Sequence, residues 1–317
     1  MPMCTSTTKE EHQKRPPSGK YPRTSPSVSN DLKQLIEWAD STDVEVQFQA
    51  AWSFADLAIT EEVRDRIRSA GGIAPLVRLL SSHRIEIQKC IISAVANLAL
   101  CEVNQKLLVD EGVLIPLIAI AKTVCTRESD DEETKLNIAR ALANLAYCNE
   151  KIEIETVEQG GLDPLIFLFQ HGSEETRLEA VAALANLARN VSNQRKIVEV
   201  GALKELVGVI KSTQQDNLLE QASRCLANIS LNARNQDDLK ESGATLALIT
   251  MLPKANSDVQ RLATMALANM SAYETMQAQV VSEGALTVLF DLIQCGNEDV
   301  ELQVRPVGAL RWCIWKT

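Results

Sequence analysis

Residues Ala94–Ala99 read AVANLA, Ala141–Ala146 and Ala183–Ala188 read ALANLA, Leu226–Ser230 read LANIS, and Ala266–Ser271 read ALANMS. A divergent first copy, FADLA, lies at Phe54–Ala58. The anchor of the phrase falls on Asp56, Asn97, Asn144, Asn186, Asn228 and Asn269, so successive copies stand 41, 47, 42, 42 and 41 residues apart. One more step of 42 lands on Arg311, inside GALRWC. A period near 42 means that one supersecondary unit is stacked on copies of itself.

Working outward from one copy, the stretch from Asn193 to Leu231 shows how a unit is built. NQRKIVEV predicts a short helix that Gly201 stops, because a left-handed C-cap suits glycine. ALKELVGVI follows with Leu203, Leu206, Val207 and Ile210 at helical spacing. A polar break over 211–217 separates it from a longer third helix, LLEQASRCLANISL. The stop glycine recurs at Gly71 or Gly72, Gly112, Gly160 or Gly161, Gly243 and Gly284. Pro75, Pro116 and Pro164 lie early in the second helix, where a missing N–H costs little.

Composition fits a helical stack. Apolar residues make up 45% of the 317 but aromatics only 4%, so the core is built from Leu, Ala, Ile and Val. Ala and Leu are strong helix formers, and small Ala side chains let helices approach closely. A compact chain of this length would usually divide into two domains, whereas in a repeat stack each unit needs only its neighbours.

Three helices in about 42 residues, with a Gly after the first and A-L-A-N-L at the end of the third, resemble the armadillo repeat. HEAT repeats use two helices and lack both the glycine and the Asn column. The resemblance covers residues 31–317 and implies an all-α, right-handed α-solenoid of armadillo repeats. It places a capping helix pair over 31–58 and six repeats over 61–317, while the aperiodic, basic Ser/Thr/Pro-rich composition of 1–30 predicts a disordered tail. The step from Asn97 to Asn144 is about five residues too long, and CTRESDDEET carries the excess, placing an acidic loop insertion at about 123–134. Its acids would favour the N-terminus of the helix that follows, and Ser129 before Asp-Asp-Glu is also a candidate phosphorylation site.

The Asn column is the candidate binding site. Asn is a poor helix-interior residue, and its carboxamide offers both donors and an acceptor. By resemblance to importin-α and the catenins, Asn97, Asn144, Asn186, Asn228 and Asn269 would hold the backbone of an extended peptide. The alternative is that they bond to a neighbouring repeat or to backbone. One turn earlier the chain places Trp52, Ser93, Arg140, Ala182, Arg224, Met265 and Val307. Importin-α has Trp there, so a basic import signal would find one slot, at Trp52, and then arginines. Arg140 and Arg224, with Arg311 and Arg189 (three residues past Asn186), instead point to an acidic or phosphorylated ligand. Solvated helix-face arginine is the bland alternative.

The expected function is thus a non-catalytic scaffold or adaptor that binds a protein partner through an extended segment. Second comes an accessory subunit docked by shape in a cytoskeletal, ciliary or vesicle complex. Nuclear import is third. No cofactor or metal is expected: the eight cysteines are scattered without a C-x-x-C pair, and no histidines cluster. No phosphate loop or nucleophile elbow marks a catalytic residue. A net charge of −10 without a basic, aromatic-interleaved patch argues against nucleic acid. No apolar run reaches the 18 or so residues of a bilayer span, and the N-terminus has no apolar signal region. The expected location is cytoplasmic or nucleocytoplasmic. The tail carries a Ser25-Pro26 phosphorylation candidate and Cys4, a weak acylation candidate. The apolar C-terminal Trp312, Ile314 and Trp315 suggest self-packing or self-association.

Overall fold

The computed structural model describes residues 32–126 and 131–294. The tail over 1–30, Cys4, Ser25, Ser129, Arg311 and the apolar C-terminus therefore lie outside the described residues.

The fold is an all-α solenoid of three-helix repeats. A helix pair, α1 (Leu32–Ala39) and α2 (Val44–Leu57), comes first. The repeats follow as α3 (Glu61–Ser69), α4 (Ile73–Leu79) and α5 (Ile85–Leu98), then α6 (Glu102–Asp110), α7 (Leu114–Thr126) and α8 (Glu132–Leu145). The third contains α9 (Glu150–Glu158), α10 (Leu162–His171) and α11 (Glu174–Leu187), and the fourth α12 (Val191–Glu199), α13 (Ala202–Ser212) and α14 (Asp216–Ile229). In the fifth, a 3-10 turn over Ala233–Asn235 leads into α15 (Gln236–Ser242), followed by α16 (Ala244–Met251) and α17 (Ser257–Ser271). The last described helices are α18 (Glu274–Ser282) and α19 (Ala285–Gln294). Of the sequence around 123–134, residues up to Thr126 continue α7, while Asp131 caps α8 by accepting the Thr134 N–H. His171 ends α10.

The structure settles which glycine of each pair turns the chain. Gly71, Gly112, Gly160, Gly201, Gly243 and Gly284 have φ between 73° and 92°, and Gly72 and Gly161 do not. The turn is a Schellman motif: Gly72 N–H reaches Ile67 O at 2.9 Å while Gly71 N–H reaches Arg68 O at 3.0 Å. Glycine, having no Cβ, enters the left-handed region without a clash, and the turn sends the second helix back across the first.

The chain forms two compact units, one ending at Gln159 and the other starting at Gly160. In the first, the long helices α2, α5 and α8 pack in succession; in the second, α11, α14 and α17 do. The Ala residues of the repeated phrase are the contact surface: Ala94, Ala99, Ala141, Ala183 and Ala266 are fully buried. Leu76, Ile91 and Leu117 are also fully buried, and each such side chain stabilises the fold by about 1.5–3 kcal/mol.

Candidate functional site

The third helices α5, α8, α11 and α14 tighten in their last turn. Leu100 N–H reaches Asn97 O (3.2 Å), Arg189 N–H reaches Asn186 O (3.2 Å) and Leu231 N–H reaches Asn228 O (3.2 Å). An unbroken α-helix would have sent these N–H groups to Ala96, Ala185 and Ala227. The bypassed carbonyls are taken by the next third helix within the same unit. Asn144 Nδ2 donates to Ala96 O at 2.9 Å, Asn228 Nδ2 to Ala185 O at 3.0 Å and Asn269 Nδ2 to Ala227 O at 2.9 Å. Asn at this position is therefore a C-cap supplied by the following repeat. Asp56 belongs to α2, the first long helix of the described residues, and is exposed. An ionised Asp there has no N–H to give, and no described third helix precedes it.

The bond occupies one side-chain N–H. Asn97, Asn144, Asn228 and Asn269 remain half-buried, and Asn186 is 4% exposed. One turn before them, in the first unit, stand Trp52, Ser93 and Arg140, all half-buried. In the second unit Arg224 accompanies Asn228 on α14, its guanidinium donating to Gln221 Oε1, and Met265 accompanies Asn269 on α17. Arg189 follows the end of α11, in the turn rather than on the helix.

Stacking also gives many cations on these helices an anionic neighbour. Lys89 pairs with Asp131, whose carboxyl is raised by burial yet held below its ordinary value overall by hydrogen bonds from Lys89 and Thr134. Arg84 lies 4.6 Å from the Phe48 ring centroid and pairs with Glu45 at 2.5 Å. In the second unit Glu220 of α14 is acted on by Asp258 and Arg261 of α17 and by Arg224.

A second polar set escapes a sequence reading. Asn104 and Gln105 open α6 and are buried; their side-chain amides donate to Leu98 O (3.2 Å) and Ala99 O (3.0 Å). Asn193 and Gln194 repeat this on Leu187 O (3.1 Å) and Ala188 O (3.0 Å), and Asn235 reaches Ile229 O at 3.1 Å. Arg64 takes the place in the first repeat, donating to Ile59 O at 2.7 Å. The recurring Asn-Gln dipeptide at 104, 193 and 235 was the available signal. It caps the ends of α5, α11 and α14 and serves the fold.

Burial pushes the thiol of Cys225 up to about 12 and those of Cys90 and Cys125 to about 11, Glu133 and Glu86 adding to the effect at Cys90. These cysteines are packing residues. Among the described residues no helix is long and apolar enough to cross a membrane.

Comparison with known proteins agrees with this geometry. The Armadillo/beta-catenin-like repeat model matches residues 60–100 and 149–189. Vacuolar protein 8 of Schizosaccharomyces pombe is 25% identical over 57% of the chain, which spans 32% of that relative's length. The solved structure of an engineered protein is 30% identical with a TM-score of 0.80, over 89% of this chain and 68% of that one. A designed armadillo repeat protein in complex with the peptide (KR)4 is 30% identical with a TM-score of 0.66, over 76% of this chain and 99% of that one.

Proposed function

The chain belongs to the armadillo-repeat family, and on that premise we propose that it is a non-catalytic cytoplasmic scaffold holding an extended segment of a partner protein along its third helices. Armadillo solenoids serve in general as protein-binding scaffolds, and a designed one binds a peptide. The observation that carries the reading is the Asn column, half-buried at Asn97, Asn144, Asn228 and Asn269. In Asn144, Asn228 and Asn269 one N–H closes the inter-repeat bond, and a carboxamide has a second N–H and an acceptor oxygen with which to meet a peptide backbone. Asn97 and Asn186 stand at the same positions of α5 and α11. Arg140, Arg224 and Arg189 favour an acidic or phosphorylated ligand, the opposite sign to (KR)4, and Trp52 gives one flat surface for an aliphatic stem.

A second reading has its own support. The Asn column has a fold role that needs no ligand, so an accessory subunit docked by shape would carry the same residues. Anisotropy of labelled octapeptides separates the two. An alternating Asp-Ser peptide is expected to bind the parent, and Arg140→Ala/Arg224→Ala to weaken it about tenfold at low salt. Preference for (KR)4 would reverse the ligand's sign. A folded protein that binds none of the peptides would leave docking by shape.

A further inference from the structure

The helices that carry the Asn column do not begin alike. α8, α11, α14 and α17 start on Glu132, Glu174, Asp216 and Ser257, acids and a hydroxyl that suit the positive end of a helix. At the same position α2 and α5 start on Val44 and Ile85. Both are β-branched apolar residues left about half exposed, at 47% and 51%, where neither helix propensity nor the dipole asks for them. The row continues along α2 in Phe48 and Trp52, one and two turns on and both half-buried. α2 packs on α5 in the first unit. Arg84, the residue before Ile85, reaches Glu45 at 2.5 Å and lies 4.6 Å from the Phe48 ring centroid. Those contacts gather Val44, Phe48 and Ile85 at one end of the helix pair, with Trp52 next along α2.

The charges at this end already answer one another. Arg84 pairs with Glu45 and, at 3.5 Å, with Glu86, and Lys89, one turn beyond Ile85, pairs with Asp131. Arg84 also fills the cation's place beside the Phe48 ring. An incoming lysine or arginine meets two resident cations, and an incoming acid meets Glu45 and Glu86. A neutral apolar side chain meets neither penalty and covers exposed apolar surface.

We propose that Val44, Phe48, Trp52 and Ile85 form an apolar subsite of the groove, which takes one large uncharged side chain of the extended partner segment. The proposal rests on the groove reading given above and adds a residue to the ligand. Arg140 of α8 stands at the level of Trp52, each four residues before its column position. Packed helices lie about 8–10 Å apart, so α8, two steps from α2, is about 16–20 Å away. An extended chain covers that in about five or six residues. The partner segment thus carries a Leu-, Ile- or Phe-type residue about five or six positions from an acidic or phosphorylated one.

The test is anisotropy of the alternating Asp-Ser octapeptide against two versions of it, with Leu replacing the first or the last Ser. Each places Leu five residues from an aspartate, one for each chain direction. One of the two is expected to bind the parent about three- to tenfold tighter than the unmodified peptide. Val44→Ser/Ile85→Ser, which gives both helices the polar start that α17 has, should bind the unmodified peptide like the parent and lose the Leu gain. If the unmodified peptide binds and neither Leu peptide gains, or if the double variant keeps the gain, the proposal is wrong while the groove reading stands. Lys in place of that Leu binding as tightly would overturn the uncharged assignment. If none of the peptides binds, the groove reading fails and the subsite with it.

Discussion

Replacing Asn228 by Ala removes a single side-chain amide, and the stack says what that costs. The Asn228 Nδ2 bond to Ala185 O measures 3.0 Å and joins α14 to α11. The Arg189 N–H goes to Asn186 O, so the substitution takes away the amide that answers the Ala185 carbonyl. Loss of one amide–carbonyl bond costs about 1 kcal/mol, and an unanswered carbonyl in a partly buried setting adds about 1–2 kcal/mol. Ala is the better helix former, which returns about 0.6 kcal/mol. The net expectation is a destabilisation of about 1.4–2.4 kcal/mol. Helical circular dichroism against temperature or urea reads it as a midpoint lowered by about 3–6 °C. Asn228→Asp should cost more, because an ionised carboxylate would face the carbonyl oxygen. An Asn228→Ala protein as stable as its parent would refute the capping argument and leave Asn228 with the ligand alone as its reason.

Other positions give independent checks. Gly201 has φ of 90° with open space around its Cβ direction, so Gly201→Ala should lose about 1–2 kcal/mol by backbone strain alone, and Gly201→Asn less; denaturation midpoints decide. Gln194→Ala should cost about 2 kcal/mol in the same assay, because Gln194 is fully buried on Ala188 O. Cys90, Cys125 and Cys225 should resist alkylation at pH 8 in native protein and react on unfolding, as peptide-resolved mass spectrometry would show. A raised Glu220 carboxyl means that the folded chain binds more protons than the unfolded one just above the ordinary glutamate value. Its contribution to stability therefore grows as pH falls through the folded pKa, and Glu220→Gln should be stabilising at pH 7 by an amount that shrinks toward pH 5.

Legibility differed between fold and site. Gly201, Gly112 and the ALANLA phrases could be read directly because a stop glycine and an i, i+3, i+4 apolar pattern act within one helix. The choice between Gly71 and Gly72 could not, since it depends on where Ile67 O lies when the turn closes. Asn104 and Gln105 are polar residues that local pattern does not mark as core, and the chain reversal after α5 buries them under the end of that helix. Lys89 and Arg84 find their neutralising partners, Asp131 and Glu45, on other helices or caps far along the chain, which no local pattern reveals.

The linear chain by itself determined the repeat, its three helices and the residues that make their apolar faces, because helix periodicity and the 42-residue recurrence are local regularities. The tertiary structure alone decided why the phrase contains Asn. The carbonyl that Asn228 answers lies 43 residues earlier, and it is bypassed only because the end of α11 tightens by one residue. Hydrogen bonds that close across a stack link positions with no sequence proximity, so their partners appear only when one repeat is laid upon the next.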